Sequence, residues 1–263
     1  KSVKLKKQLK YWEKICNGIK EDSIIWREAT GESGIAQKQF TLSNQETEQL
    51  RECGTKYNAE IPELVLSALG MAMKQLYGNE KLLVELEGHG RAELHKKIDI
   101  DRTVGWFTCL YPVVIFATED KNEMITKNAE NLNGIPQSGM GYGYLKDKLP
   151  VLKPEVRFNY FGEMENAMED KLLGDFSAKE NSPVRVMMMD AAIIGGAFGV
   201  SIKYDCSKVS EQQAEKFTQA YKKAINDIIR FCLNKETEVD TTTELCGDEV
   251  QKDEIDELSD LFN

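Results

Sequence analysis

Five short apolar runs in this chain have the composition of β-strands, and they constrain the fold more than any other feature. They are Lys81–Leu86, Thr108–Phe116, Arg157–Phe161, Val184–Ile194 and Ala197–Tyr204. The last two meet at Gly195 and Gly196, which is the pattern of a hairpin. Helical patterns separate the other runs without a regular strand–helix alternation. We therefore predict an α/β fold in which helices pack on a mixed β-sheet.

Apolar residues at helical spacing fill the segments between these runs. The predicted helices are Ser2–Cys16, Asn44–Tyr57, a helix with Pro62 in its first turn, Lys121–Leu132, and a last helix opened by Ser210 and Gln213. Ser43 and Glu46 form a capping-box pattern at the start of the second helix. Three segments are predicted to be irregular: the polar stretch after Cys16 to about Ala36, a loop over Pro136–Tyr144, and a mobile segment over Glu163–Glu180.

Composition and charge exclude several classes of function. The 263 residues, enough for one large or two small domains, carry a formal net charge of -10. That charge, without a basic stripe, argues against nucleic-acid binding. No apolar run approaches the roughly 18 residues of a membrane span, and the Lys-rich N-terminus lacks the apolar stretch of a signal peptide. The scattered cysteines contain no Cys-x-x-Cys pair, so we predict reduced thiols, no metal site and a cytoplasmic location.

Two neighbouring motifs place a carboxylate beside glycines and aromatic residues. The sequence reads Glu-Gly-His-Gly-Arg over residues 87–91 and Arg-Thr-Val-Gly-Trp-Phe-Thr over residues 102–108. The glycines of the first motif carry no side chains that would block a substrate from reaching Glu87. Glu87 can act there as a general acid and base. The alternative is that it caps a turn or pairs with Arg91 or Arg102.

Two further motifs lie downstream. Pro136 precedes Gly-Met-Gly-Tyr-Gly-Tyr at residues 139–144, which lacks the Gly-Lys-Ser/Thr of a phosphate-binding loop. Residues 158–162 read Phe-Asn-Tyr-Phe-Gly. Together the four motifs resemble those of the epimerization domains of nonribosomal peptide synthetases. These domains belong to the condensation-domain superfamily, which has a chloramphenicol-acetyltransferase-like fold. Phe161 replaces the family's usual Leu.

The resemblance implies a reaction at an α-carbon. These domains invert an aminoacyl or peptidyl thioester by removing its α-proton and returning a proton to the opposite face, which requires acid/base groups. The matching Glu is the family's acid/base, which implies a catalytic role for Glu87. The substrate would arrive on the phosphopantetheine arm of a peptidyl carrier protein. No cofactor bound by the chain itself is implied.

The resemblance also implies supporting roles for other residues, which are His89, Arg102, Tyr142, Asn159 and Tyr160. We expect Arg102 to pair with Glu87 and to lower its pKa. We expect Asn159 and Tyr160 to donate hydrogen bonds to the thioester oxygen as an enolate develops. Tyr142 is expected near the active site, and His89 points the same way as Glu87 if the backbone stays extended.

Structural alternatives exist for each of these residues. His89 can be an exposed turn histidine, and Tyr142 can be a packed tyrosine in a glycine-rich connection. Asn159 and Tyr160 can satisfy backbone groups within a strand. Trp106, Phe107 and Tyr111 are expected in the core or in the wall of a tunnel.

One family motif has no counterpart in the sequence. Epimerization domains carry a His-His-x-x-x-Asp-Gly motif whose second His is the opposing acid/base, and no His-His pair occurs here. We therefore interpret residues 1–235 as the C-terminal lobe of such a domain and the acidic residues 236–263 as a linker or docking tail. The expected partners are a peptidyl carrier protein, the missing N-terminal lobe and, through the tail, a downstream synthetase subunit.

Two other functions stay open. One is a lobe of a peptide-bond-forming condensation domain, which generally lacks the Glu-Gly-His-Gly-Arg motif. The other is a non-catalytic module that docks a carrier protein or another synthetase subunit.

Overall fold

A computed structural model describes residues 3–19, 26, 33–91, 100, 102–164 and 185–234. Within these ranges the helices are α1 Val3–Gly18, α2 Asn44–Tyr57, α3 Ile61–Tyr77, α4 Lys121–Asn133, α5 Tyr142–Leu145 and α6 Glu211–Asn234. The strands are β1 Ile35–Thr41, β2 Lys81–Gly88, β3 Cys109–Phe116, β4 Val156–Met164, β5 Met187–Ile194 and β6 Ala197–Asp205. None of the helices in the described ranges is long and apolar enough to cross a membrane.

The strands form one mixed sheet in the order β1-β6-β5-β4-β2-β3. The central strands β2, β4 and β5 run parallel to one another, while β3, β6 and β1 pair antiparallel to their neighbours. β5 and β6 form the predicted hairpin, with Gly195 and Gly196 at its turn. The predicted α/β fold with a mixed sheet is confirmed.

One face of the sheet is buried beneath helices. Strand residues such as Val84, Phe158 and Ile202 are fully or almost fully buried on that face. Helices α3 and α6 pack together over it, and the hydroxyl of Tyr221 in α6 donates to the Val65 carbonyl in α3 at 3.1 Å. Side chains alternate along a strand, so the residues between these buried positions point to the opposite face. Glu85, Glu87, Arg157, Asn159 and Asp190 lie there, and we call it the polar face.

Most predicted helices and strands are confirmed, and the differences have physical causes. The capping box at Ser43 and Glu46 is present, and α2 has the predicted bounds. The irregular stretch was predicted to extend to about Ala36 and no element was assigned between it and α2, but Ile35–Thr41 forms the edge strand β1. Only Phe40 of β1 is buried, so the strand carries little of the apolar signal used for prediction.

Two predicted irregular segments contain regular structure. The predicted loop Pro136–Tyr144 holds a 3-10 turn at Pro136–Gly139 and the start of α5. Of the predicted irregular segment Glu163–Glu180, the first two residues belong to β4, and the remainder lies outside the described residues.

Candidate active site

Glu87 lies next to the C-terminal end of β2, on the polar face of the sheet. Glu85 and Glu87 point to that face, whereas Val84 and Leu86 are buried on the helix-covered face. The Glu87 side chain keeps 21% of its surface exposed, so a substrate can reach it.

Glu87 belongs to a network of charges that spans neighbouring strands. Its Oε1 lies 3.4 Å from Nη1 of Arg157 in β4. The same guanidinium reaches Oε2 of Glu85 through Nε at 2.8 Å and Nη2 at 2.6 Å. Nη2 of Arg185, just before β5, donates to Oε1 of Glu85 at 2.6 Å. Asp190 in β5 lies in register with Asn159 of β4 and adds a third carboxylate to this face.

This environment raises the pKa of Glu87 above its ordinary value. Burial is the main cause, the nearby negative charges of Asp190 and Glu85 add to the rise, and Arg157 opposes it. A carboxylate with a raised pKa is a stronger base than a free one and is more readily protonated. Glu87 is thus suited to accept and return a proton.

Arg102 does not make the predicted ion pair with Glu87. It is exposed in the segment before β3, and Arg157 makes the contact instead. The expected lowering of the Glu87 pKa is also wrong, because burial outweighs the single long contact to a guanidinium.

Residues 88–91 build a turn that ties the two neighbouring motifs together. Arg91 donates to the carbonyl oxygens of Ile100 at 2.8 Å and Thr103 at 3.0 Å, and its guanidinium lies over the Phe107 ring at 4.2 Å. Gly90 has a φ of 65°, and a Cβ there would lie 1.6 Å from the Phe107 carbonyl oxygen. The sequence suggested that Gly90 is present so that a substrate can reach Glu87. The structure gives a different reason, which is its close contact with the backbone of Phe107.

His89 takes part in the same turn. Its side chain is exposed, and Nδ1 accepts a hydrogen bond from the Arg91 backbone N–H at 3.2 Å. The ring thereby satisfies a local backbone donor, which matches the alternative of a turn histidine.

The aromatic residues Trp106 and Phe107 of the second motif, and Tyr111 just after it, have three different environments. Trp106 was expected in the core or in the wall of a tunnel; at 91% exposure the core position is wrong, and the tunnel wall stays a prediction. Phe107 lies beneath the Arg91 guanidinium, and Tyr111 is buried in the core. The ring of Tyr111 occupies the space that a Cβ at Gly139 would need, which requires glycine at that position of the third motif.

Asn159 and Tyr160 lie on opposite faces of the sheet. Asn159 shares the polar face with Arg157, two residues earlier in β4. Tyr160 lines a groove of about 780 Å³ with Arg51 of α2 and Glu60 at the start of α3. Asn159 therefore lies on the same face of the sheet as Glu87, and Tyr160 lies on the opposite face.

Tyr142 lies beside the Glu85 end of the charge network. Its ring meets Trp12 of α1 edge-on at 5.0 Å. It also lines an open cleft of about 730 Å³ together with Glu85, Pro112 and Arg185. This cleft extends from β3 to Glu85 and Arg185, and Glu87 is not among the residues that line it.

Sequence reasoning missed four charged residues of the site. They are Glu85, Arg157, Arg185 and Asp190. A usable signal existed in strand alternation, because Glu85 shares a strand face with Glu87, and Arg157 shares one with Asn159. Within the described ranges, no group of three or more His, Cys, Asp or Glu side chains is placed to hold a metal ion.

The family model of the condensation domain matches residues 1–249 of this chain. The chain belongs to the condensation-domain family. This condensation-family chain is 32% identical to bacitracin synthase 2 of Bacillus licheniformis, over 98% of the chain and 10% of that synthase. It therefore spans only a small part of that relative.

Solved structures share the fold of this condensation-family chain. The crystal structure of the epimerization domain from the third module of tyrocidine synthetase B is 28% identical, with a TM-score of 0.78 over 88% of this chain and 57% of that one. The condensation domain of the monacolin K polyketide synthase is 16% identical, with a TM-score of 0.64 over 88% of this chain and 58% of that one. The chain covers little more than half of each solved chain.

Proposed function

We propose that this chain is the C-terminal lobe of an epimerization domain of a nonribosomal peptide synthetase. It would invert the α-carbon of an aminoacyl or peptidyl thioester presented on the phosphopantetheine arm of a peptidyl carrier protein. The observation that carries the proposal is Glu87, a half-buried carboxylate with a raised pKa on the polar face of the sheet. The 28% identity and TM-score of 0.78 with a solved epimerization domain support it further.

The proposed reaction is proton transfer at Glu87. A carboxylate oxygen of Glu87 takes the α-proton, and the electron pair of the C–H bond moves into the thioester carbonyl to form an enolate. The Asn159 amide, on the same face, donates a hydrogen bond to the enolate oxygen. A second acid/base group from the N-terminal lobe then delivers a proton to the opposite face. The reverse order inverts the other epimer, with Glu87 returning the proton.

Exchange of the α-proton tests this function. The complete two-lobed domain is incubated in D2O with a carrier-bound aminoacyl thioester, and deuterium at the α-carbon is followed by mass spectrometry. Glu87→Gln is expected to slow exchange about 100-fold or more, because it removes the base. Glu119→Gln, at an exposed ion pair with Lys74, is the matched control and should keep the parent rate. A Glu87→Gln domain that exchanges as fast as the parent would contradict the proposal.

The second candidate function is peptide-bond formation, which the match to the condensation domain favours. In that reaction an acceptor amine attacks the thioester carbonyl and the phosphopantetheine thiol leaves. Supplying an aminoacyl acceptor on a second carrier protein distinguishes the two functions. An epimerization domain exchanges the α-proton without the acceptor and forms no peptide, whereas a condensation domain forms the peptide bond.

A further inference from the structure

The polar face of the sheet contains a carboxylate that the proposed chemistry does not use. Glu85 lies two residues before Glu87 in β2 and is only 8% exposed. Burial of an unpaired carboxylate is strongly unfavourable, so such a group is retained only with partners. The partners of Glu85 therefore indicate what it does.

Glu85 engages two guanidinium groups at once. Its Oε2 accepts a hydrogen bond from Nε of Arg157 at 2.8 Å and lies 2.6 Å from Nη2 of the same guanidinium. Its Oε1 accepts a hydrogen bond from Nη2 of Arg185 at 2.6 Å. Glu85 and Arg157 are also register partners in the parallel β2–β4 pairing, so the two backbones hold the pair in place.

These contacts limit what Arg157 can offer to Glu87. Two of its three guanidinium nitrogens are held by Glu85, and only Nη1 faces Glu87, at 3.4 Å. An arginine without such a competitor forms a short bidentate pair with a carboxylate and keeps it ionised. We propose that Glu85 is a positioning residue, which holds Arg157 so that Glu87 receives one long contact instead of a bidentate salt bridge.

This inference deepens the proposed function and rests on the role of Glu87 as acid/base. The groups that face Glu87 are Glu85 in its own strand, Arg157 in β4 and Asp190 in β5. Asp190 is in turn offset by Lys203 in β6 and by Arg157, although burial raises its pKa. Glu85 is the member of this set that both adds negative charge near Glu87 and restrains the guanidinium.

Neutralising Glu85 or Arg157 should move the Glu87 titration in opposite directions. In Glu85→Gln, a charge that raises the pKa of Glu87 is lost and Arg157 is free to pair with it, so its pKa falls. In Arg157→Gln, the cation that lowers the pKa of Glu87 is lost, so its pKa rises. Loss of the Glu85 charge alone would also lower the pKa of Glu87, so the double variant tests the positioning role: Glu85→Gln should lower this pKa less in the Arg157→Gln background than in the parent.

The experiment uses the complete domain labelled with 13C at the glutamate carboxyl carbon. The Glu87 resonance is assigned from the Glu87→Gln variant, and its titration is followed by NMR in the parent, Glu85→Gln and Arg157→Gln. The pH dependence of α-proton exchange is measured alongside. For Glu85→Gln we expect a midpoint at lower pH and an exchange rate on the order of tenfold lower at neutral pH, because Glu87 becomes a weaker base. For Arg157→Gln we expect a midpoint at higher pH.

Glu63→Gln is the matched control. Glu63 is a buried glutamate, 5% exposed, in α3 on the helix-covered side of the sheet. Its substitution should leave the Glu87 midpoint unchanged. This control separates an effect of the network from a general effect of removing a buried carboxylate.

Two results would overturn the proposal: an unchanged Glu87 midpoint in Glu85→Gln, or shifts of the same sign in both variants. If Glu85→Gln fails to fold, Arg157→Gln decides alone, and a midpoint that does not rise overturns the proposal. Absence of α-proton exchange in the parent would reject the proposed function. The NMR titration needs no turnover, so it tests the role of Glu85 in either case.

Discussion

At the scale of single residues, Gly90 connects the two motifs around the candidate site. Its positive φ and its contact with the Phe107 carbonyl leave no room for a Cβ. A larger residue would have to move the segment that Arg91 anchors, and that segment leads directly into β3. The geometry beside Glu87 therefore depends on a residue with no functional group.

Substitution of Gly90 should be costly where substitution of another glycine is not. Gly90→Ala is expected to lower the free energy of unfolding by about 1–3 kcal/mol, because alanine is strained at positive φ and clashes with Phe107. Gly143→Ala, in α5 with no atom within 4 Å of the added Cβ, should stay within about 0.5 kcal/mol of the parent. Urea denaturation measures both changes. Equal effects of the two substitutions would contradict this account.

The raised pKa of Glu87 predicts a pH-dependent cost in stability. A carboxyl group with a higher pKa in the folded state favours folding at low pH and loses that contribution as the pH rises through the folded pKa. Glu87→Gln should therefore increase the free energy of unfolding at neutral pH, and the gain should shrink below the ordinary carboxyl value of 4.5. Denaturation at neutral and acidic pH checks this. A variant less stable than the parent at neutral pH would contradict it.

Strand alternation places Arg157 on the same face as Asn159, but its pairing with Glu87 could not be predicted from the sequence. Arg102 stands in a motif beside Glu87, whereas Arg157 lies 70 residues away. The contact exists because β4 pairs with β2 in parallel, and such pairing depends on long-range packing that leaves no local pattern. Tyr160 was expected beside Asn159 because the two residues are neighbours in one motif. Neighbouring residues in a strand, however, point to opposite faces of the sheet.

At the scale of secondary-structure elements, α1 supports one wall of the cleft. Trp12 is fully buried and contacts the rings of Tyr111 in β3 and Tyr142 in α5. One turn earlier, Nε2 of Gln8 donates to Oε1 of Gln137 at 2.6 Å. A single helix thus holds both the strand and the glycine-rich segment beside the cleft.

Loss of the buried tryptophan should test this support. Trp12→Ala is expected to lower the free energy of unfolding by about 3–5 kcal/mol, because it removes a large buried side chain and leaves a cavity. Trp106→Ala makes the same chemical change at a side chain that is 91% exposed, and should cost no more than about 0.5 kcal/mol. Chemical denaturation compares them. Similar losses at both positions would argue against a packing role for Trp12.

Elements were predictable where local chemistry marks them. The capping box of α2 and the two glycines of the β5–β6 hairpin are contained within a few residues, and both predictions are confirmed. β1 was missed because its stability comes from pairing along β6, with Phe40 as its single buried residue. A mostly polar edge strand has no apolar periodicity to detect.

At the scale of the whole molecule, the proposed docking role of residues 236–263 remains a prediction, since that segment lies outside the described residues. The last described helix, α6, ends at Asn234. Deleting residues 236–263 is expected to weaken binding to a downstream synthetase subunit about tenfold or more, a loss of at least about 1.4 kcal/mol. Isothermal titration calorimetry measures it, with the parent chain as reference. Unchanged affinity would reject the docking role.

The sheet order also determines when the site can form during folding. Arg157 and Arg185 reach Glu85 across 72 and 100 residues of sequence. Contacts between residues so distant in sequence form slowly, because a long loop must close before any favourable interaction is gained. The charge pattern around Glu87 should therefore appear only after β4 has inserted between β2 and β5. A chain in which β2 and β4 have not yet paired would lack the ion pair between Glu85 and Arg157. We therefore expect the site and the sheet to be completed in one cooperative step.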